Sequence, residues 1–353
     1  MNVTTTRMFS LHFAFLTGLL MRTPSATSIA GLCQVGKSTA AAALTHQTFT
    51  REDHVTERAS AASSSVYLAF DYTQSHHAGS EMQGLSYNYS SSHQASKLGQ
   101  RYASVALVHS RELPVPISLT YAVSRELETE RYPFLTPSEE LIQIIKATKD
   151  QGIQFKGTLA DAEFGNKKVV GHCVTHDDPL MVRMKSNTRV EYCGELVTLK
   201  SLLSHVPRKC CHFYPKFNWR AKRIAVQYDG HAVDILVIWR NVKGIWSAFF
   251  LLSTFSQETS LGELVQAWKA RWGIEVIHRF LKQNLSFGAC QYRDIRAHQN
   301  WADLAVDAFH LILQVRKECP GASWKSSQLL AAARCLDRVR TAVLQDLSAL
   351  EAA

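Results

Sequence analysis

The sequence predicts a mixed α/β sheet with flanking helices, interrupted by an antiparallel β insertion and preceded by an α-helical N-terminal region. Three observations carry this. Strand-like runs at 66–71, 102–108 and 115–123 precede a helical stretch from Pro137, after which strands at 157–161 and 180–184 alternate with helix. Residues 187–254 then switch to short runs of alternating apolar and polar residues. Helical periodicity marks both ends of the chain, at 8–44 and again from Trp301. The units read off this pattern are 1–60 (helical), 64–186 (first part of the core), 187–256 (β-rich insertion), 257–300 (helix completing the core) and 301–353 (C-terminal helices).

With 353 residues, 46% hydrophobic and 20% charged, the chain can bury a large core. Its 39 Lys and Arg against 30 Asp and Glu give +9, which favours a polyanion such as nucleic acid as partner. The 8 cysteines form no regular framework, so reduced thiols in a cytoplasm are expected. Cys210, Cys211 and His212 cluster, and His172 and His176 stand at i,i+4, but neither group supplies four ligands at zinc spacing.

In chain order, the apolar run at 8–21 follows Arg7 and is too short to span a bilayer. It reads as a buried helix, with a secretory leader as the alternative. Residues 31–38 match the phosphate-loop pattern G-x-x-x-x-G-K-S, whose chemistry requires a buried strand ending at the first glycine. The preceding 24–30 make a poor strand. They fit a helix capped by Ser25 or Thr27, a turn at 34–37 and a second helix from Ser38, as in a DNA-binding helix-turn-helix or a plain helical hairpin. Residues 51–65, polar and rich in Ser and Ala, read as a linker.

Two short carboxylates end strands: Asp71 after 66–70 and Asp161 after 157–160. A lone Asp there is commonly a turn residue; two on adjacent strands gather where ligands bind. In the insertion, Asp229-Gly230 marks a hairpin turn. Residues 208–223 interleave basic and aromatic side chains, so that Lys216, Arg220, Lys222 and Arg223 suit phosphates while the aromatics stack, or else form an exposed basic loop.

The stretch 268–285 reads as one helix with two faces. At about 100° per residue, Trp268, Arg271, Glu275 and Lys282 fall within roughly 60° of each other. Ala270, Ile274, Ile277, Leu281 and Leu285 form an apolar side facing the core. Alone, Glu275 four residues from both Arg271 and Arg279 is an ordinary salt-bridge face. With Asp71 and Asp161 it completes the carboxylate set that a two-metal phosphoryl-transfer site needs.

At these residues the sequence resembles the DDE transposases of bacterial insertion sequences, whose core is ribonuclease-H-like. Phe70-Asp71-Tyr-Thr73 resembles the first-aspartate strand, and Ala160-Asp161-Ala-Glu-Phe-Gly-Asn166 the second-aspartate motif. Arg271, Glu275 and Lys282 fit the spacing R-x3-E-x6-K of the group with a Tyr/Arg/Glu/Lys signature, with Trp268 where that signature has Tyr. The resemblance, spanning about 64–300, implies that Asp71, Asp161 and Glu275 hold Mg²⁺ (or Mn²⁺). It implies cleavage at transposon terminal inverted repeats and strand transfer into target DNA. Trp268, Arg271 and Lys282 would contact DNA, and Trp246 or Phe250 would stack on an unpaired base. A homodimer on DNA, no membrane association and a cytoplasmic, nucleoid-associated location follow by the same likeness. The alternative is a transposase-derived DNA-binding protein without catalysis.

Overall fold

The computed structural model describes residues 3–46, 52–63, 65–76, 81–90, 94–130, 132–290 and 292–351. Helices α1 (Val3–Leu20), α2 (Ala26–Cys33), α3 (Lys37–His46) and α4 (Glu52–Ala59) come first. The sheet then begins with β1 (Tyr67–His76), β2 (Ser86–Ser90), β3 (Ala95–Val108) and β4 (Val115–Tyr121). Next come α5 (Pro137–Asp150), β5 (Thr158–Ala160), α6 (Lys167–Thr175) and β6 (Leu180–Met184). The insertion holds β7 (Arg189–Tyr192), β8 (Glu195–Thr198), α7 (Leu199–His205), β9 (His212–Tyr214), β10 (Trp219–Tyr228), β11 (His231–Val242) and β12 (Ile245–Ser253). The helices α8 (Leu261–Ala270), α9 (Trp272–Asn284), α10 (Ile295–Glu318) and α11 (Trp324–Glu351) close the chain.

β4, β3 and β1 pair antiparallel, and β1, β5 and β6 pair parallel. A strand with a parallel neighbour is covered on both faces, and Tyr67, Leu68, Ala69 and Phe70 are accordingly buried in succession. α5, opened by Pro137 and a reciprocal capping box between Thr136 and Glu139, crosses from β4 to β5 and buries Leu141 and Ile145. This is the ribonuclease-H-like mixed sheet that the sequence predicts. The insertion extends it, because β12 pairs antiparallel with β6, and β11 and β10 follow as a meander. Asp229 and Gly230, at φ 53 and 80, make the expected β10/β11 turn.

Asp71 does not end its strand, as the sequence suggests. β1 runs on to His76 because β3 is long enough to pair with it as far as Gly99. It is the parallel neighbour β5 that stops, at Ala160.

The run at 8–21 is a buried helix: α1 packs along α11 and hides Leu11, Phe15, Leu16 and Leu19. Among the described residues no helix is long and apolar enough to cross a membrane. Ser25 caps α2, Gln34 at φ 54 closes it, and Gly31 lies inside the helix. No strand leads into Gly31, so the phosphate-loop reading fails on local structure and a helical pair stands in its place. The eight cysteines are free thiols.

The linker read at 51–65 is corrected, with Arg51 and Ser64 outside the described residues. Residues 52–59 form α4, held by one buried guanidinium. Arg58, 4% exposed, donates from Nε and Nη2 to Asp307 Oδ1 of α10 at 3.0 and 2.5 Å, and from Nη1 to the Ile117 carbonyl of β4 at 3.1 Å. Composition missed it because the partners lie far away in sequence. Replacing Arg58 by Ala removes the buried guanidinium that joins Asp307 to the Ile117 carbonyl and is expected to cost about 3–5 kcal/mol. Urea unfolding checks this; a loss under about 1 kcal/mol would show that other contacts dock α4.

Candidate active site

The parallel register sets the first two carboxylates. Phe70 of β1 pairs with Ala160 of β5, so Asp71 and Asp161, the next residue on each, stand side by side on strands roughly 4.8 Å apart. Beyond β5 the chain turns at 162–164, where Phe164 packs edge-on against Phe70 with ring centres 4.9 Å apart. Gly165 lets that turn lie on β6, since a Cβ there would meet the Arg183 carbonyl at 2.6 Å.

The third carboxylate comes from the helical pair. A capping box of Ser260 and Glu263 starts α8, and α9 follows after a one-residue interruption at Arg271. Arg271 stays helical (φ −49, ψ −35), but the Ile274 amide donates to its carbonyl three residues back, tightening the join. The single helix expected over 268–285 is therefore two helices. Its apolar side is as predicted, with Ile274, Ile277, Leu281 and Leu285 fully buried. Gly273 allows the close approach, as a Cβ there would sit 2.9 Å from Pro114 and 3.2 Å from Val108. α9 thereby packs on β1 and β3.

The polar stripe is buried at its start, where Trp268 and Arg271 are both 8% exposed, so that Arg271 looks into a cleft and not into solvent. Arg271 Nη2 donates to Glu275 Oε1 at 2.8 Å, Nη1 stands 3.7 Å from Asp71 Oδ2, and the guanidinium lies 5.0 Å above the Trp268 ring. One buried cation thus serves two carboxylates. The Tyr72 amide donates to Asp71 Oδ1 at 2.8 Å, while Asp161 Oδ1 is buried without a hydrogen-bond partner.

Burial pushes the Asp71 carboxyl up to about 6; Arg271 and the Tyr72 amide oppose this, and Asp161 and Glu275 add to it. Burial also raises Glu275, opposed by Arg271 and reinforced by Asp161. Lys282 keeps exposed surface, yet protein crowding its ammonium lowers its pKa, with Asp71 pulling the other way. His278, whose Nε2 is buried and unbonded, is pushed down to about 3 by burial and by Lys282 and Arg271. Asp71, Asp161, Glu275, Arg271 and Lys282 therefore feel one another's charge.

The insertion residues are placed elsewhere. Lys216 and Lys222 are exposed. Arg220 lies over Phe213 at 5.2 Å and donates to the Cys211 carbonyl. Arg223 departs most from expectation, since its guanidinium pairs with buried Asp234 at 2.6 Å and donates to the Thr259, Phe255 and Ser256 carbonyls. It pins the insertion to the start of α8, with all three of its nitrogens engaged. Phe250 is buried, and Trp246 lies under Arg208 at 4.8 Å.

Sequence reading missed a cleft of about 350 Å³ beside Arg271, lined by Arg183, Arg240, Lys269 and the rings of Trp219, Phe249 and Trp272, with Trp268 also in its wall. Lys269 Nζ sits 4.5 Å from the Trp219 ring centre. Only strand register joins these residues, such as the Trp219 and Arg240 pair of β10 and β11. The one local signal is Arg183, exposed within the otherwise buried β6.

Among the described residues no three His, Cys, Asp or Glu side chains stand close enough to hold an ion as they are. The donor set still fits a hard divalent cation: three carboxylates from three elements, one with a buried, unbonded oxygen, served by a guanidinium where charge must be neutralised.

Because the native Asp71 pKa of about 6 lies above the ordinary value of 3.8, the folded state binds the extra proton between those values and stability falls as pH rises through that window. Asp71→Asn is thus expected to match wild type below about pH 4 and to exceed it by up to about 3 kcal/mol above pH 6. Urea unfolding in EDTA from pH 4 to 7 checks the sign; a variant less stable at pH 7 would show that the Arg271 contact outweighs desolvation.

Residues 136–307 match the family model of the transposase DDE domain, a stretch that holds Asp161, Arg271, Glu275 and Lys282 and begins after Asp71. No curated protein matches the chain. By that match residues 136–307 belong to the transposase DDE domain family, and the sheet order sets Asp71, which precedes them, beside Asp161.

Proposed function

We propose that the chain cleaves DNA at the terminal inverted repeats of its element and joins the freed ends to target DNA, with Asp71, Asp161 and Glu275 as the catalytic carboxylates. The observation that carries this is the convergence of Asp71 and Glu275 on Arg271, with Asp161 beside Asp71 on the adjacent parallel strand. They would hold Mg²⁺ or Mn²⁺, and the bound cations supply activation of the attacking oxygen and stabilisation of the leaving one. Arg271 neutralises Asp71 and Glu275 until then, and with Lys282 provides positive charge beside the scissile phosphodiester. The Arg271 side chain also borders the cleft of Trp219, Phe249 and Trp272, which suits an unpaired base better than buried Phe250 does. Lys216 and Lys222, exposed on the insertion, add non-specific phosphate contacts. The protein acts as a homodimer on paired DNA ends, in a bacterial cytoplasm at the nucleoid.

Arg271 standing between two of the carboxylates favours one other reading, a DNA-binding derivative without catalysis. A cleavage assay on native flanking DNA with Mg²⁺ or Mn²⁺ separates the two. Asp71→Ala, Asp161→Ala and Glu275→Ala are each expected to lower cleavage by at least about 10³-fold while binding survives. Full cleavage by any one of them removes that residue from the set, and a wild-type chain that binds but never cuts establishes the second reading.

A further inference from the structure

Arg271 serves the carboxylates from the side of the sheet that α9 covers. A second arginine, Arg101 of β3, stands near the same strand ends on the other side. Side chains alternate along a strand, so Asp71 and Tyr72 point to opposite faces of β1. Arg101 pairs across from Gln74 and therefore shares the Tyr72 face, as a diagonal neighbour of that ring. Its guanidinium carbon lies 3.4 Å from the Tyr72 ring centre, in van der Waals contact. Its Nη2 donates to both oxygens of Glu163, at 2.8 and 2.7 Å.

Each of these two partners is tied by the chain to one of the aspartates. Tyr72 follows Asp71, and its amide donates to Asp71 Oδ1 at 2.8 Å. Glu163 stands two residues after Asp161, in the turn at 162–164 that follows β5. The Tyr72 hydroxyl donates to Glu140 Oε2 of α5 at 2.5 Å, and its ring packs against Phe164 of that turn with centres 5.6 Å apart. Burial raises the Glu140 carboxyl, opposed by the Tyr72 hydroxyl and by Arg101, so one guanidinium serves a second acid as well.

This bridge serves position more than stability. The Arg101 and Glu163 side chains are 26% and 46% exposed, and so open a pair adds little to the stability of a fold. The last parallel pair of β1 and β5 is Phe70 with Ala160, so Asp71 and Asp161 lie one residue beyond the ladder that joins their strands. Arg101 links the two strands just past that point, through Tyr72 on one and Glu163 on the other.

We infer that Arg101 is a positioning residue of the active site, which sets Asp71 against Asp161 for a divalent cation by tying Tyr72 to Glu163 across the ends of β1 and β5. That role presupposes the two aspartates as the cation's ligands. Groups that orient a ligating side chain from outside govern metal affinity, and losing one typically weakens it about 10–100-fold. Arginine suits the task because its planar group stacks on a ring while an edge nitrogen holds a carboxylate; a lysine supplies the charge without the plane.

Calorimetric titration of the full chain with Mn²⁺, without DNA, tests this. Arg101→Gln is expected to weaken Mn²⁺ binding by about tenfold or more. Glu163→Ala is expected to weaken it by a similar factor and the double variant no further, since both remove one bridge; additive losses overturn the bridge. Arg101→Lys is expected to recover only part of the loss, and full recovery overturns the geometric role in favour of charge alone. In cleavage assays the Mn²⁺ concentration for half-maximal rate is expected to rise by the same factor in Arg101→Gln, with the rate largely restored at saturating Mn²⁺. An Arg101→Gln chain that melts earlier but binds Mn²⁺ as wild type does would reveal a purely structural contact and overturn the inference. Asp161→Ala separates this from the reading beneath it. Loss of Mn²⁺ binding there with wild-type affinity in Arg101→Gln overturns the positioning role alone, whereas retained binding in Asp161→Ala, or none in wild type, overturns both.

Discussion

Carboxylates gathered in a partly dry place repel one another, and Arg271 is the counterweight that lets the fold keep Asp71 and Glu275 near Asp161. Two like charges some 4–5 Å apart cost roughly 3–4 kcal/mol at an effective dielectric near 20. Arginine suits the position because its planar fork serves two partners at once and keeps its charge when buried. A lysine here would offer one compact ammonium and would lose its proton more easily, as the lowered pKa of neighbouring Lys282 illustrates. The remaining scaffold can be understood as what it takes to hold that guanidinium in place.

Two close approaches do most of this. Gly273 lets α9 lie against Pro114 and Val108, and Gly165 lets the turn after Asp161 lie against the backbone of β6. The interruption at Arg271 sits at the junction of α8 and α9, where the side chain reaches both Glu275 one turn on and Asp71 across the gap to β1. Arg223 works at longer range: bound to Asp234 and to three carbonyls between β12 and α8, it fixes where α8 begins relative to the insertion. Arginines thus serve the fold at two further points, here and at buried Arg58, both through partners on distant elements.

That division explains what the sequence made legible. Short apolar runs ending at Phe70 and Ala160, and the apolar spacing from Ala270 to Leu285, are local signals, so the two aspartates and Glu275 could be picked out without knowing what neighbours what. The mixed α/β sheet follows from the order of the elements, and its ribonuclease-H-like character from the family resemblance. Partnership is not local. Arg223 and Lys222 are adjacent in a basic stretch, yet one is consumed by Asp234 while the other is exposed. The basic and aromatic cleft draws on β6, β10, β11, β12, α8 and α9, and no window of sequence contains it. α4 was hidden by composition because its anchor, Asp307, lies 249 residues away. The phosphate-loop match errs oppositely: every letter is right and the backbone is wrong, since a pattern of glycines and a lysine means nothing without the strand before it.

The protonation landscape of the site ties stability to ligation. Acids there are pushed up and bases pushed down: Asp71 and Glu275 toward the protonated form, Lys282 and His278 toward the neutral one, with burial the first cause in each case. Burial therefore disfavours the charged form of each of these groups, and a partner of opposite charge opposes that shift. Cations beside Asp71 and Glu275 favour their ionised forms, and a phosphodiester beside Lys282 favours its ammonium. The two effects reinforce each other, because each added charge is the counterion of the next: carboxylate, cation, phosphate, ammonium. By linkage, whatever binds one member tightens the binding of the others, so cation and DNA are expected to be held together more firmly than either alone.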